Sequence, residues 1–368
     1  MKVSIIGTVG LPPIYGGFET LVAQMVSHLR GRFDFIVYCS EKSYKTKLAD
    51  YHGAELIYIP LKANGIQSIL YDIISIMHAI RSPDILLILG VPGCTILPLV
   101  KLLSKKKIIV NIDGLEWKRD KWNYFARNFL RFSERVAVHY ADEVISDNAI
   151  IQEYVLSFYG RQSHLIAYGG DHARGNSDIE SYRSSYPFLG KPYAFGICRI
   201  EPENNVHMIL DAFAKTKSMP FVMVGNWNNS DYGRGLKERY GSIENITLID
   251  AIYDQKKLDT LRSNCSCYIH GHSAGGTNPS LVEAMWLGLA VIAYDVAYNR
   301  ETTSNKALYF NSADDLRRII RDIDHYDLKP IGDDMHVIAD ERYCWSKIAD
   351  QYASLFAERA EEPGIEQP

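Results

Sequence analysis

The segment from His270 to Asp295, HGHSAGGTNPSLVEAMWLGLAVIAYD, places one carboxylate, Glu283, among Leu281, Val282, Ala284, Met285, Trp286 and Leu287. Asn278 is a favoured N-cap, Pro279 suits a first helical position and Gly288 stands where a glycine ends a helix, so the spacing predicts a helix over 279–287. A helix that is apolar on every side is a buried one. A carboxylate inside it costs on the order of several kcal/mol unless donors meet it. Those donors are either protein groups or the hydroxyls of a ligand. Gly275, Gly276, Thr277 and Asn278 lead into this helix, and Gly16 and Gly17 lead into another, in GTVGLPPIYGGFET. Backbone N–H groups at helix starts can approach an anion closely, although the stretch holding Gly16 and Gly17 also reads as a plain strand-to-helix connection. Arg199, in ICRIEPENN, directly follows a strand pattern. Its guanidinium there suits a diphosphate, with an interdomain ion pair as the alternative. A phosphate-bearing ligand with ribose hydroxyls would satisfy Glu283, Arg199 and both glycine sites at once.

Two further carboxylate groups need a reading. Asp113, in NIDGLEWKRDKW, follows a strand and so faces the side where ligands bind, near the reacting group or acceptor, with Glu116 as a weaker candidate. The bland alternative for Asp113 is a turn-forming residue before Gly114. Asp322 and Asp324 form a D-x-D inside a helical stretch, which reads as a solvated face and not as a metal site. The six cysteines form no CxxC pair, so no zinc site is expected and reduced thiols are.

The elements that must hold these groups alternate regularly. In the first half VSIIG, FDFIVYC, ELIYIP, DILLILG, KIIVNID and EVISDN read as strands; in the second YAFGIC, FVMVG, NITLID, CYIHG, AVIAYD and ALYF do. Helical stretches separate them, among them 18–29, 205–217, 254–263 and 279–287. Repeated strand–helix alternation implies two open parallel sheets of Rossmann-like winding facing across a cleft, with ligands beyond the carboxyl ends of the strands. The expected division is 1–170, a linker over 171–190, 191–344, and a last helix over 345–360. The first glycine loop is about ten residues long and lacks GxGxxG spacing, which argues against a dinucleotide site.

Length and composition fit this layout. The chain has 368 residues, 47% hydrophobic and 23% charged, enough for two domains. Its apolar runs are strand-length, far below the ~20 residues that span a bilayer. No basic region with a long apolar stretch precedes the first strand, so a cytoplasmic protein without a signal peptide is expected. The net charge of −4 divides into +4 for residues 1–168 and −8 for 169–368. The stretch WKRDKWNYFARNFLRFSER carries Lys118, Arg119, Lys121, Arg127, Arg131 and Arg135 against Asp120 and Glu134. Arg127, Arg131 and Arg135 form one helical stripe, and Trp122, Phe125, Phe129 and Phe132 an apolar side. It reads either as a solvated basic face over buried aromatics or as a peripheral contact with an anionic membrane surface. No nucleic-acid partner is expected.

The stretches GLPPIYGGFETLV, NIDGLEWKRDKW, CRIEPENN, GGTNPSLVEAMWLGLAVIAYD and YCWSKIADQYASLF, in this order, resemble glycosyltransferase family 4, and more closely its bacterial rhamnosyltransferase branch. The resemblance runs from Lys2 to about Phe356. It implies a GT-B fold, with the last helix crossing back onto the N-terminal domain, and retaining, metal-independent sugar transfer without a cofactor. It also implies that Glu283 binds the ribose of a nucleotide sugar, Arg199 the diphosphate, and Gly16–Gly17 the phosphates. The implied partners are dTDP-L-rhamnose and a lipid-linked saccharide of surface-polysaccharide synthesis. Two departures stand out. The family's first glutamate, eight positions before the second, falls on Gly275, and its lysine falls on Asn204. Either backbone amides of the GGTNPS loop take over, or donor binding is lost; the survival of Arg199, Glu283 and both glycine pairs favours the first. The altered sugar contact suits a deoxysugar. The alternatives are a module that holds a nucleotide sugar without transferring it, and a nucleotide-sugar epimerase.

Overall fold

A computed structural model describes residues 1–14, 16–81, 84–119, 122–176 and 178–358. The chain divides into two compact units, one formed by residues 1–167 with the segment from 345 onward, the other by Tyr168–Cys344. In the first unit the elements run β1 (Lys2–Ile6), α1 (Gly17–His28), β2 (Asp34–Ser40), β3 (Asp50–Tyr51), β4 (Ala54–Ile59), α2 (Gln67–Ala79), β5 (Ile85–Leu89), α3 (Leu97–Leu103), β6 (Lys107–Asn111), α4 (Tyr124–Tyr140), β7 (Glu143–Ser146), α5 (Ala149–Tyr159) and β8 (His164–Leu165). The sheet order is β3-β4-β2-β1-β5-β6-β7-β8. All neighbours are parallel except β3 and β4. β5 and β6 are buried on both faces, which is why ILLIL and KIIVN read as continuous runs and not as alternation.

The second unit continues with α6 (Glu180–Arg183), β9 (Ala194–Ile197), α7 (Val206–Ala214), β10 (Phe221–Gly225), α8 (Asp231–Tyr240), β11 (Ile246–Asp250), α9 (Gln255–Ser263), β12 (Cys267–His270), α10 (Pro279–Trp286), β13 (Val291–Tyr294), α11 (Ala297–Thr302), β14 (Leu308–Phe310), α12 (Ala313–Arg321) and α13 (Leu328–Arg342). Its sheet, β11-β10-β9-β12-β13-β14, is wholly parallel. The core packs Phe213, Phe221, Met223 and Trp227 together with Ile292 and Phe310. The expected linker is bonded into this unit at its start. Arg174 N donates to Asp259 at 3.2 Å and Asn176 Nδ2 to Thr260 at 2.5 Å, both on α9.

The last helix, α14 (Trp345–Ala357), belongs to the first unit. Phe356 meets Phe33 edge-on at 5.2 Å, Lys107 Nζ donates to the Leu355 carbonyl at 2.7 Å, and Asn111 Nδ2 donates to Tyr352 Oη at 3.1 Å. Residues 359 and 360, included in the expected helix, lie outside the described residues.

Candidate functional site

In each sheet the strand order reverses once, between β9 and β12 in the second and between β1 and β5 in the first. The loops leaving the carboxyl ends of those strands flank the crevice where open α/β sheets take ligands. Arg199 lies on the loop after β9, and Gly275 to Asn278 lie on the loop after β12. The two loops are stitched together: Ser273 N and Oγ both donate to the Glu203 carbonyl at 2.9 Å. Arg199 is exposed and makes no ion pair among the described residues, so its charge remains available. Thr277 is buried, and Asn278 uses its carboxamide oxygen as the expected helix cap, accepting from Ser280 N at 3.1 Å. Gly288 sits at a φ of +67°, where the helix was expected to stop.

Glu283 is met by protein donors. Arg262, with a wholly buried side chain, donates to Glu283 Oε2, and His172 Nε2 lies 3.0 Å from Oε1. Arg262 also reaches Asp259 Oδ1 at 3.0 Å, making a guanidinium shared by two carboxylates. Burial alone would raise the Glu283 carboxyl; Arg262 and then His172 overturn this and hold it at about 2. Its burial therefore does not by itself require a ligand. A carboxylate offers about four acceptor positions, and the side chain keeps 15% exposure, so hydroxyls can still approach it. Asn204, where the resembled family has a lysine, is buried and turned inward. Its Nδ2 donates to the Arg199 carbonyl at 2.7 Å, and its Oδ1 faces His272 Nδ1 at 2.6 Å.

In the first unit the loop after β1 is held by Glu19, whose Oε1 accepts from Thr8 Oγ1 at 2.9 Å and Val9 N at 2.7 Å. Gly16 precedes α1 with a φ of +135°, and a Cβ there would stand 1.9 Å from Glu19 Oε2. Only glycine fits, and as N-cap it leaves the first amides of α1 without a side-chain partner. Gly17 opens that helix. Asp113 follows β6 with a φ of +60°, its N donating to Asn111 Oδ1 at 2.9 Å. A non-glycine residue in the left-handed region costs on the order of 1–3 kcal/mol and is found at functional turns. Arg119, nearly buried, bridges Glu116 at 2.8 Å and Asp113 at 3.9 Å. Asp322 pairs with its neighbour Arg321 at 2.7 Å on the surface beyond α12.

Residues 1–171 match a family described as a domain of unknown function, DUF1972. Residues 178–325 match the family described as Glycosyl transferases group 1. The second unit carries a glycosyl transferases group 1 domain. No curated protein matches the chain. Among solved structures it is similar to sucrose-phosphate synthase from Thermosynechococcus elongatus, with TM-score 0.82, 15% identity, and coverage of 96% of this chain and 98% of that one. It is similar to HepE from Anabaena, solved in complex with UDP-glucose, with TM-score 0.76, 18% identity, and 97% and 99% covered. A glycosyltransferase from Rickettsia africae gives TM-score 0.74, 14% identity, and 99% of both chains. At such identities the likeness is one of fold: the chain has the GT-B architecture of two Rossmann-like, parallel-sheet domains.

Within the glycosyl transferases group 1 domain, sequence reasoning singled out Arg199, Glu283 and the Gly275–Asn278 loop, but passed over Arg262 and His272. His172, which also meets Glu283, precedes the matched residues. Arg262 carried a legible signal, since it stands four residues after Leu258 on the buried face of α9. Glu19 likewise lies on the apolar side of α1, in register with Val22 and Val26. The basic segment turns two of its four aromatics outward: Phe125 is 81% and Phe132 58% exposed, beside exposed Arg131 and Arg135, while Trp122 and Phe129 are half-buried. Arg131 stacks on Trp117 and Phe158, whereas Arg127 is half-buried and turned toward the Arg119 carbonyl. Asp120 and Lys121 of that segment lie outside the described residues. Among the described residues no helix is long and apolar enough to cross a membrane.

Proposed function

We propose that the protein transfers a hexose from a nucleotide sugar, dTDP-L-rhamnose being the expected donor, to a lipid-linked saccharide. The observation that carries this reading is Arg199 standing exposed and without an ion pair among the described residues, beside the glycine-bearing loop of a glycosyl transferases group 1 domain. Breaking the bond from the sugar's anomeric carbon to the diphosphate oxygen leaves negative charge on the diphosphate. Arg199 and the amides of the loops meet that charge as it develops. Glu283 accepts hydrogen bonds from the ribose hydroxyls. The new bond forms between the anomeric carbon and the acceptor oxygen with retention of configuration, and the acceptor's proton passes to the leaving phosphate. No metal is needed in this scheme. Binding of UDP-glucose by the structurally similar HepE supports a nucleotide-sugar ligand. The outward-facing Phe125 and Phe132 with Arg131 and Arg135 suit a protein that meets its acceptor at an anionic membrane surface.

The test is incubation with a panel of nucleotide sugars and lipid-linked saccharides, reading the acceptor's mass. A gain of one deoxyhexose from dTDP-L-rhamnose, retained with EDTA present, is the expected result. Donor binding without product across the panel would favour the second reading, a module that only holds the nucleotide sugar. The loss of the lysine at Asn204 and of the glutamate at Gly275 is what keeps that reading in view.

A further inference from the structure

One imidazole at the junction of the loops after β9 and β12 has no part in the scheme above. His272 Nδ1 lies 2.6 Å from Asn204 Oδ1. The Asn204 amide is oriented by its own bond, Nδ2 donating to the Arg199 carbonyl at 2.7 Å. Its Oδ1 is therefore the acceptor, and Nδ1 of the ring carries the proton. The backbone beneath the ring is fixed as well, since Asn299 Nδ2, buried, donates to the His272 carbonyl at 2.9 Å. The neighbouring His270 ring, 6.1 Å away, is held neutral by burial, which lowers it to about 3.

The other edge of the His272 ring faces Gly275. A Cβ at Gly275 would stand 3.2 Å from Nε2, on a backbone with a φ of +104°. The imidazole thus fills the space into which a side chain at 275 would project. With Nδ1–H engaged by Asn204, the uncharged form of the ring presents Nε2 as a hydrogen-bond acceptor.

We propose that His272 contacts the sugar of the donor, its Nε2 accepting a hydrogen bond from a hexose hydroxyl, with Asn204 as the positioning residue that fixes its tautomer. This rests on the nucleotide-sugar reading above. The test compares two substitutions that split the ring's functions. His272→Asn keeps a group able to bond Asn204 but deletes the one at the Nε2 position; His272→Gln does the reverse. Calorimetry with dTDP and dTDP-L-rhamnose, and with UDP and UDP-glucose, separates nucleotide from sugar contacts. The expected result is that His272→Asn binds the nucleoside diphosphate as wild type does but the nucleotide sugar about tenfold more weakly, the scale of one hydrogen bond. His272→Gln should retain most of the sugar-dependent affinity. The reverse order, Asn retaining and Gln losing it, would make the ring a tie between loops and overturn the inference. Should both variants melt at the assay temperature, Asn204→Ala, which frees the ring without removing it, makes the same comparison. Unchanged nucleotide-sugar affinity there overturns the inference, and a selective loss supports it. A wild type that binds nucleoside diphosphates and transfers sugar while His272→Asn behaves identically defeats this inference alone. A wild type that binds no nucleotide defeats the donor reading, and this one with it.

Discussion

Glu283→Gln removes the negative charge facing a guanidinium with no exposed surface. Asp259, 3.0 Å away, would then hold Arg262 alone. A carboxyl held at about 2 against an ordinary 4.5 has its charged form stabilised by about 3 kcal/mol. Removing one partner of a buried pair costs about 3–5 kcal/mol, and the remaining Asp259 argues for the lower end. For a domain of this size, about 3 kcal/mol lowers the melting temperature by about 6–12 °C. The folded carboxyl titrates below its unfolded value, so its contribution is fully present above about pH 4.5 and is lost as the pH falls toward about 2. The gap between wild type and variant should therefore be wide at neutral pH and close within that window, as followed by circular dichroism melts. Replacing all three members, Arg262→Met with Glu283→Leu and Asp259→Asn, should recover much of the loss, because no buried charge is then left without its partner. Equal melting temperatures for wild type and Glu283→Gln at neutral pH would refute the ion-pair account. Ribose binding is a separate matter, to be read only where the variant is folded. There, loss of the carboxylate should weaken nucleotide affinity by about 1–3 kcal/mol.

Four other variants probe separate parts of the molecule. Arg199→Ala should reduce turnover more than ground-state nucleotide affinity, because the diphosphate charge peaks in the transition state; equal small effects would count against that role. Gly16→Ala forces a Cβ toward Glu19 Oε2 and should weaken donor binding while leaving the melt of the second unit in place; unaltered affinity would mean that the loop does not reach the ligand. Asp72, buried on α2, is pushed up to about 8 by burial, with the Gly93 amide working in the opposite direction. Its stabilising share is complete below about 3.8 and falls as the pH rises toward 8, so Asp72→Asn should flatten the alkaline decline in melting temperature, and parallel profiles would refute this. Reversing Arg131 and Arg135 to Glu, with Phe125→Ser, should abolish salt-sensitive co-sedimentation with anionic liposomes; wild type that fails to sediment at low salt removes the membrane contact.

The parts of this fold that the sequence disclosed are those whose signal is local. Runs such as ILLIL and FVMVG declare buried parallel strands within five residues, and Asn278–Pro279 with Gly288 mark both ends of α10. Two strands escaped, β3 and β8, because two residues carry no period. Placement was legible where a residue directly follows a strand, as for Arg199 on the loop after β9. It was not legible where satisfaction comes from elsewhere in the chain. Glu283 announced a need for donors, but Arg262 answers it from another helix, 21 residues away in sequence, and His172 from the stretch that composition marks as linker. The same holds for the two departures at 204 and 275. Read singly, a lost lysine and a lost glutamate look like a weakened site. Packed together, Asn204 orients His272 and Gly275 makes room for it, so each substitution is the condition of the other. A side chain absent from one position of a loop can thus leave its space to a ring from another, and that exchange is written in the packing and not in the local sequence.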